Sequence, residues 1–168
     1  MSKGITVPIF LVCLVSSAWA QEQNYPKGEV FGTLSVLSFG STTRVGAYGW
    51  QASMNTNFTR SFGIDVDMGT QYKNGPSIRQ SLFGPQLNMR SDKSTLFLHA
   101  LAGPSHSTGS SGWTVGAGGG VDVNAGNRIK FRAFQMDWLP THPKGGGEWS
   151  KNAFRFGFGV GFGFGKGK

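Results

Sequence analysis

Apolar and polar residues alternate with a period of two along most of the chain beyond residue 28, which is the pattern of β-strands. Between Trp50 and Phe58 one face is mainly apolar, whereas the other carries Gln, Ser and Asn. The last such stretch is the clearest, because Phe or Val at every second position from Phe154 to Phe164 alternates with Arg155 and glycines. The alternation predicts strands that each have one apolar and one polar face.

Eight stretches of the chain alternate in this way and predict eight strands. They run near Glu29–Ser38, Ala47–Phe58, Phe62–Tyr72, Gln80–Arg90, Thr95–Ala102, Trp113–Val123, Arg128–Leu139 and Ala153–Gly165. Most are about as long as a tilted strand must be to cross the hydrocarbon of a bilayer. Hydropathy alone does not detect such strands, because their apolar residues alternate with polar ones.

The connections between these stretches alternate in length. The short ones are Thr59–Ser61, Ser91–Ser94 and Asn124–Asn127. The longer ones, rich in Gly, Ser, Pro and Lys, are Gly40–Val45, Lys73–Arg79, Gly103–Gly112 and Pro140–Lys151. Short periplasmic turns and long outer loops are typical of membrane barrels, and an even number of strands then brings both termini to the turn side.

Two places depart from regular alternation. The apolar face changes parity after Ile129 and Phe131, and a β-bulge at Ala133 or Phe134 would restore one apolar face. Gly84-Pro85 lies within the fourth stretch, where Pro85 cannot donate a hydrogen bond to a neighbouring strand, so we expect a local irregularity there.

The polar face decides between two kinds of barrel. Its charged residues are Asp65, Asp67, Asp122, Asp137, Lys130, Arg132, Arg155 and Arg90. A soluble, lipocalin-like barrel would surround a cavity with its apolar face, whereas a membrane barrel turns that face to lipid. Because the polar face is also rich in glycine, which would be unusual on a solvated exterior, we expect an all-β, eight-stranded, antiparallel up-and-down transmembrane β-barrel.

The same polar residues predict how the interior is filled. An eight-stranded barrel has room only for packed side chains, and an unpaired charge there is unfavourable. The four acids and four bases can pair, which predicts an internal cluster of charges and hydrogen bonds. In the alternative interpretation, several of them lie at the solvated rims.

Aromatic residues near the strand ends agree with a membrane barrel. Tyr and Trp concentrate where a membrane meets water, and the candidates for such a belt are Trp50, Tyr72, Trp113 and Trp138, with Trp149 nearby in a loop. Backbone groups at membrane depth need partners, so the first and last strands are expected to close on each other.

The N-terminus resembles a secretory signal peptide. Lys3 precedes an apolar stretch from Ile5 to Val15, and Ala18-Trp19-Ala20 fits a cleavage site. We expect residues 1–20 to be removed after Ala20 and residues 21–168 to form one barrel domain with a short N-terminal lead. The single cysteine, Cys13, lies in the removed segment, so no thiol chemistry is expected in the remainder.

The composition excludes other classes. The chain has 27 Gly and 14 Phe and only 14% charged residues, which favours strands and turns. Its net charge of +8 comes from scattered residues, not from a basic run or helix face, so no nucleic-acid partner is expected. We interpret the charge as solvation of loops and interior and as contact with anionic lipid head groups.

No motif in the chain indicates catalysis. Metalloprotease, phosphate-loop and serine-elbow patterns are absent from the sequence, and no cofactor or metal is expected. The three histidines are His99 in a strand and His106 and His142 in two loops. Since His106 stands beside Ser105 and Ser107, a lipid-modifying barrel enzyme is the alternative function, although no third catalytic residue is identified.

The final strand carries a resemblance to a known family. Gly159, Phe162 and Phe164 resemble the signal that outer-membrane proteins present to the insertion machinery, and the chain as a whole resembles the small eight-stranded outer-membrane β-barrels, as in the outer membrane protein A-like barrel domain. Two features differ: Gly165–Lys168 follow the last aromatic residue, and the polar start of the signal falls on Gly157.

The resemblance implies a location and a role. It places the protein in the bacterial outer membrane, with membrane lipids and, during assembly, the insertion machinery as partners, and as a monomer. It implies a structural or surface-recognition role. An open pore is not expected because eight strands leave no wide channel, and no enzymatic activity is expected because the catalytic motifs are absent. The segment Lys144–Trp149 is the candidate recognition surface.

Overall fold

The structure, a computed structural model, describes residues 25–40, 45–73, 75 and 77–167. The predicted signal peptide, its cleavage site and Cys13 lie outside the described residues. The described residues form nine strands: β1 (Gly28–Phe39), β2 (Val45–Asn57), β3 (Phe62–Tyr72), β4 (Ser77–Arg90), β5 (Ser94–Ser107), β6 (Ser110–Asn124), β7 (Ile129–Trp138), β8 (Thr141–Pro143) and β9 (Phe154–Phe164). Among them, no helix is long and apolar enough to cross a membrane.

The strands form a closed antiparallel barrel, as the alternation predicted. Each strand from β1 to β6 pairs with the next, β7 pairs with β9, and β9 closes the barrel on β1. The short strand β8 pairs with β6 beyond the end of β7, so β7 and β8 occupy one of eight positions around the barrel. We call the end with the short turns, where the described residues also begin and end, the turn end, and the opposite end the loop end.

The two faces of the sheet are oriented as in a membrane barrel. In β3, Asp67 is 0% exposed and faces the interior, whereas its neighbour Met68 is 53% exposed and faces out. The same alternation runs through the other long strands, with large apolar side chains outside and polar ones buried. The alternative of a lipocalin-like barrel with an apolar cavity is therefore wrong for this fold.

The change of parity in β7 is a β-bulge at Ala133. Val121 pairs with Phe134 and the next residue of β6, Asp122, pairs with Arg132, which leaves Ala133 as the extra residue. The pairing of β7 with β9 shifts at the same place. The bulge keeps Arg132 and Gln135 both facing inward, as the sequence predicted.

Deleting Ala133 is expected to be tolerated, because Arg132, Phe134 and Gln135 then alternate regularly and keep their faces. The matched control is deletion of Phe131, which moves either Lys130 or Arg132 to the lipid-facing side, where a cationic residue is strongly unfavourable. The measurement is the fraction of refolded protein that shows heat-modifiable gel mobility. Equal losses for the two deletions would contradict the assignment of the bulge.

The local irregularity expected at Gly84-Pro85 is present, whereas two expectations about loops need correction. The register of β4 against β5 is the same on both sides of Gly84-Pro85, but neither residue pairs with a residue of β5, so the pairing is interrupted there. Pro85 is exposed on the outer face. The predicted loop Gly103–Gly112 is instead the tip of a long hairpin, in which only residues 108 and 109 connect β5 and β6, and Gly109 adopts φ 80°. Part of the predicted loop Pro140–Lys151 forms β8.

The prediction of a loop at Gly103–Gly112 was wrong for a physical reason. Above the lipid-facing band a strand needs no apolar outer residues, so the outward His106 and Ser111 give no alternation to detect. A strand that is polar on both faces then has the composition of a loop.

Candidate functional site

The middle of the interior is occupied by Arg155 and two carboxylates. Arg155 projects inward from β9 and is 0% exposed. Its Nη1 donates to Asp67 Oδ1 at 2.9 Å, and its Nε donates to Asp137 Oδ2 at 2.9 Å. Gln51 Nε2 also donates to Asp67, and Gln135 Nε2 donates to Asp137 Oδ2 at 2.8 Å. Residues from β2, β3, β7 and β9 are thereby joined across the barrel.

His99 connects Asp137 to one further carboxylate of this layer, that of Asp65. Its Nδ1 lies 3.2 Å from Asp65 Oδ2, and its Nε2 lies 2.8 Å from Asp137 Oδ1. Only an imidazolium donates from both ring nitrogens, so this geometry favours the charged form. Sequence analysis placed His99 in a strand but did not assign it to the charge cluster, although His99 has the inward parity of Thr95 and Phe97.

Arg132 forms the next layer towards the turn end. Its Nε and Nη2 donate to the two oxygens of Asp122 at 2.8 and 3.2 Å. Its guanidinium carbon also lies 3.8 Å from the ring centroid of Phe31 and 4.2 Å from that of Phe97. The planar cation is thus held by a bidentate ion pair and by two aromatic faces, a combination available to Arg and not to Lys.

Glu29 organises the layer at the turn end. Arg90 Nη2 donates to Glu29 Oε2 at 2.6 Å, Lys130 donates to Glu29 Oε1, and Asn57 Nδ2 donates to Glu29 Oε2 at 2.9 Å. Sequence analysis missed Glu29. Glu29 is the first residue of the first predicted strand, so no preceding strand residue showed whether it faces inward or outward.

All eight charged residues predicted for the interior lie on the inner face, and each is in an ion pair. The pairs are Arg155 with Asp67 and Asp137, His99 with Asp65 and Asp137, Arg132 with Asp122, and Arg90 and Lys130 with Glu29. Five carboxylates therefore face four bases and His99. Within the described ranges, no group of three or more His, Cys, Asp or Glu side chains could hold a metal ion.

An apolar layer crosses the interior above the charges, towards the loop end. It is formed by Leu37, Ala47, Leu82, Leu101, Leu139 and Ala153, against which Phe39 and Ile78 pack. Leu82 and Leu139 are 1% and 0% exposed. Side chains from six positions around the barrel meet in this layer, so the interior is filled at this level.

The loop end holds a shallow cup above the apolar layer. Its volume is about 190 Å³, its floor includes Leu37 and Ile78, and its walls carry hydroxyl groups. Ser105, His106 and Ser107 all line the cup. Since neighbouring strand residues point to opposite faces, the His106 side chain is directed away from the face that carries the buried Ser105. The lipid-modifying enzyme stays an alternative prediction.

The segment Lys144–Trp149 lies beside this cup. All its side chains are exposed, and the Trp149 ring packs 5.2 Å from that of His142 on β8. Gly146 and Gly147 have φ of 83° and 126°, which favour glycine and allow the tight turn. The segment is therefore presented on the surface of the loop end.

A second cavity opens at the turn end. Its volume is about 390 Å³, and its lining includes the cations Arg60, Arg90, Arg128 and Lys130. Arg60 Nη2 donates to the Arg90 carbonyl at 2.9 Å, and Arg90 Nε donates to the Arg60 carbonyl at 3.0 Å. These reciprocal bonds join two neighbouring turns.

The predicted aromatic belt lies on the outer face, in the part of the barrel nearer the loop end. Trp50, Tyr72, Trp113 and Trp138 are all exposed, and all lie towards the loop end of their strands. Tyr48 belongs to the same part, since it pairs with Tyr72. The outer face at the turn end carries phenylalanine instead: Phe58, Phe62 and Phe164.

The three residues of the predicted assembly signal lie on β9. Phe162 and Phe164 face outward, and Gly159 pairs with Thr33 of β1. The chain beyond Phe164 continues the closure of the barrel, because the Gly167 amide donates to the Tyr25 carbonyl at 2.8 Å. A role in recognition by the insertion machinery stays a prediction.

Solved structures of outer-membrane barrels share this fold. Neisserial surface protein A is 10% identical, with 84% of this chain and 97% of that chain covered and a TM-score of 0.61. The N-terminal β-barrel domain of Pseudomonas aeruginosa OprF is 15% identical (84% and 100% covered, TM-score 0.53), and Ail of Yersinia pestis, in complex with the heparin analogue sucrose octasulfate, is 12% identical (86% and 100%, 0.50).

These likenesses identify the fold as that of the small eight-stranded outer-membrane barrels, in agreement with the sequence resemblance. No protein-family model matches the chain, and no curated protein matches it significantly.

Proposed function

We propose that the protein is a bacterial outer-membrane β-barrel that acts through its loop end as a structural or surface-recognition element, and that it neither forms an open pore nor catalyses a reaction. The observation that carries the proposal is the orientation of the two faces, apolar outside and charged inside. Exposed apolar side chains around the whole barrel would be unstable in water but are stable in lipid.

The direction of insertion follows from the two ends. Outer-membrane barrels place short turns in the periplasm and the longer connections outside the cell. The turns at residues 58–61, 91–93 and 125–128 share the turn end with Tyr25 and Gly167, the first and last described residues, and we therefore assign this end to the periplasm. The loop end, with the cup and the segment Lys144–Trp149, then faces the surroundings of the cell.

The chemistry of the loop end favours an anionic partner. Among the described residues of the loop end, the cationic side chains include Lys73, Arg79, Lys144 and Lys151. The last loop also contains an acidic residue, Glu148. Ail, which shares the fold, was crystallised with the polyanion sucrose octasulfate, so that compound is a suitable probe for a basic loop surface. A cationic surface attracts such ligands over several ångströms and loses this attraction at high salt.

Cysteine labelling in whole cells tests this proposal. Gly145→Cys in the last loop and Gly126→Cys in a turn are matched variants, because a side chain at either position meets no atom within 4 Å. A membrane-impermeant maleimide is expected to label Gly145→Cys in intact cells and Gly126→Cys only after the outer membrane is broken. Sucrose octasulfate is expected to slow labelling of Gly145→Cys, and less so when Lys144 and Lys151 are both changed to Gln.

Three results would count against the proposal. Recovery in the soluble periplasmic fraction, with gel mobility unchanged by boiling, would reject the membrane barrel. Labelling of Gly126→Cys alone in intact cells would reject the orientation. Labelling of Gly145→Cys that does not respond to sucrose octasulfate would reject the polyanion as the class of partner.

A further inference from the structure

We propose that the cavity at the turn end is a binding site for a phosphate group. Four cationic side chains line this cavity of about 390 Å³: Arg60, Arg90, Arg128 and Lys130. They come from different elements, namely two turns and the turn-side ends of β4 and β7, so folding brings them together. Neutral hydrogen-bonding residues, Ser91, Thr95, Asn124 and Asn127, complete the polar part of the lining.

The cations of the cavity exceed its acids. Glu29 pairs with both Arg90 and Lys130, so one of these two positive charges is not neutralised by it. Asp92 is the acid of the cavity lining, and Arg128 adds a further positive charge. The excess favours a small anion that carries more than one charge or several acceptor oxygens.

The position of Arg90 is fixed in a way that suits an oxyanion. Its Nη2 and Nε are used by Glu29 and the Arg60 carbonyl, while Nη1 is buried and has no hydrogen-bond partner among the described residues. The reciprocal bonds between Arg60 and Arg90 hold the two turns together before any ligand binds. Guanidinium groups bind phosphate oxygens through paired, charge-assisted hydrogen bonds, so preorganised arginines favour phosphate over a halide ion.

The phosphate could come from two sources at this place. The cavity lies at the turn end, which the proposed function places at the periplasmic side of the membrane, so the headgroup of an anionic phospholipid in the inner leaflet is one source; this source rests on the proposed function. A soluble phosphate is the other source. Lys27, Lys93 and Lys166, which are exposed at the same end, raise the local concentration of either anion.

The first experiment measures inorganic phosphate binding to the folded full chain in maltoside micelles, which contain no phosphate. We expect saturable binding, seen as shifts of the backbone amide signals of Gly126 and Asn127, with chloride at equal ionic strength giving none. Changing Arg60 and Arg128 to Gln is expected to weaken binding at least tenfold. The matched control, Lys144→Gln with Lys151→Gln at the loop end, is expected to bind as the unchanged protein does.

Heat-modifiable mobility of each variant shows that it is folded before binding is compared. Non-saturable shifts, or equal binding by the turn-end variant and the control, would overturn the site. Because micelles require no particular orientation or cellular location, this result stands or falls separately from the proposed function.

The second experiment distinguishes the sources in nanodiscs without soluble phosphate. If the headgroup is bound, the same amide signals shift when phosphatidylglycerol replaces a neutral glycolipid, and added phosphate then competes with it. If the source is soluble, only added phosphate shifts them. Either outcome supports the site, whereas signals unaffected by both additions would overturn it.

Discussion

Replacing Arg155 by Met is expected to cause the largest loss of folded protein among single substitutions in the interior. Arg155 is fully buried, and its removal leaves Asp67 without its cationic partner and Asp137 with only His99. Removing one partner of a buried ion pair typically lowers the free energy of unfolding by about 3–5 kcal/mol. The measurement is the urea concentration at which half of the refolded protein loses heat-modifiable mobility.

A second substitution distinguishes lost charge balance from lost packing. Arg155→Met combined with Asp67→Asn again gives equal numbers of acids and bases in the interior, so it is expected to recover part of the stability. Lys151→Met, at an exposed position of the loop end, serves as the control and is expected to leave the midpoint unchanged. If the double variant were less stable than Arg155→Met alone, the charge balance would not be the reason for the loss.

The architecture could be predicted from the sequence because a barrel wall has a strict geometric rule. Side chains on a strand alternate between faces, so Ile64, Asp65 and Val66 reveal strand, inner face and outer face together. The same rule located the bulge, since Phe131 and Phe134 both face out only if one residue between them is extra. The alternation of side chains along single strands was therefore sufficient to predict the architecture of the whole barrel.

The partners inside the barrel could not be predicted in the same way. Glu29 and Lys130 are about one hundred positions apart in sequence, and they meet only because β1, β9 and β7 are neighbours around the closed barrel. Alternation shows that a residue faces inward but not at which height it lies. That height depends on the stagger between strands, which the sequence pattern does not fix.

The cavity at the turn end escaped sequence analysis for a related reason. Arg60, Arg90 and Arg128 stand alone among uncharged or mixed neighbours, so no basic run marks the site. The turns that carry them become adjacent only when β2 to β7 form consecutive positions of one barrel. A cluster built from single residues of separate turns is visible only in three dimensions.

The glycines on the inner face of β9 leave room for the large side chains that fill the interior. The large side chains of Arg132, Phe31 and Phe97 fill the interior, and Phe31 pairs directly with Gly161 on the neighbouring strand β9, where the absence of a side chain leaves room for the ring. A Cβ atom at Gly161 would be 2.3 Å from two atoms of the Phe31 ring. The Phe31 ring therefore packs against the backbone of Gly161, and it also contacts the guanidinium of Arg132.

Gly161→Ala is accordingly expected to destabilise the barrel by about 1–3 kcal/mol, the usual effect of overpacking an interior. Gly32→Ala is the matched control, because Gly32 is the next residue of β1, faces outward and has no atom within 4 Å of an added Cβ. Since Ala is favoured over Gly in a strand, the control is expected to equal or exceed the unchanged protein in stability. Both are measured by the urea midpoint of heat-modifiable mobility. Equal midpoints for the two variants would mean that the Phe31 ring does not lie against Gly161.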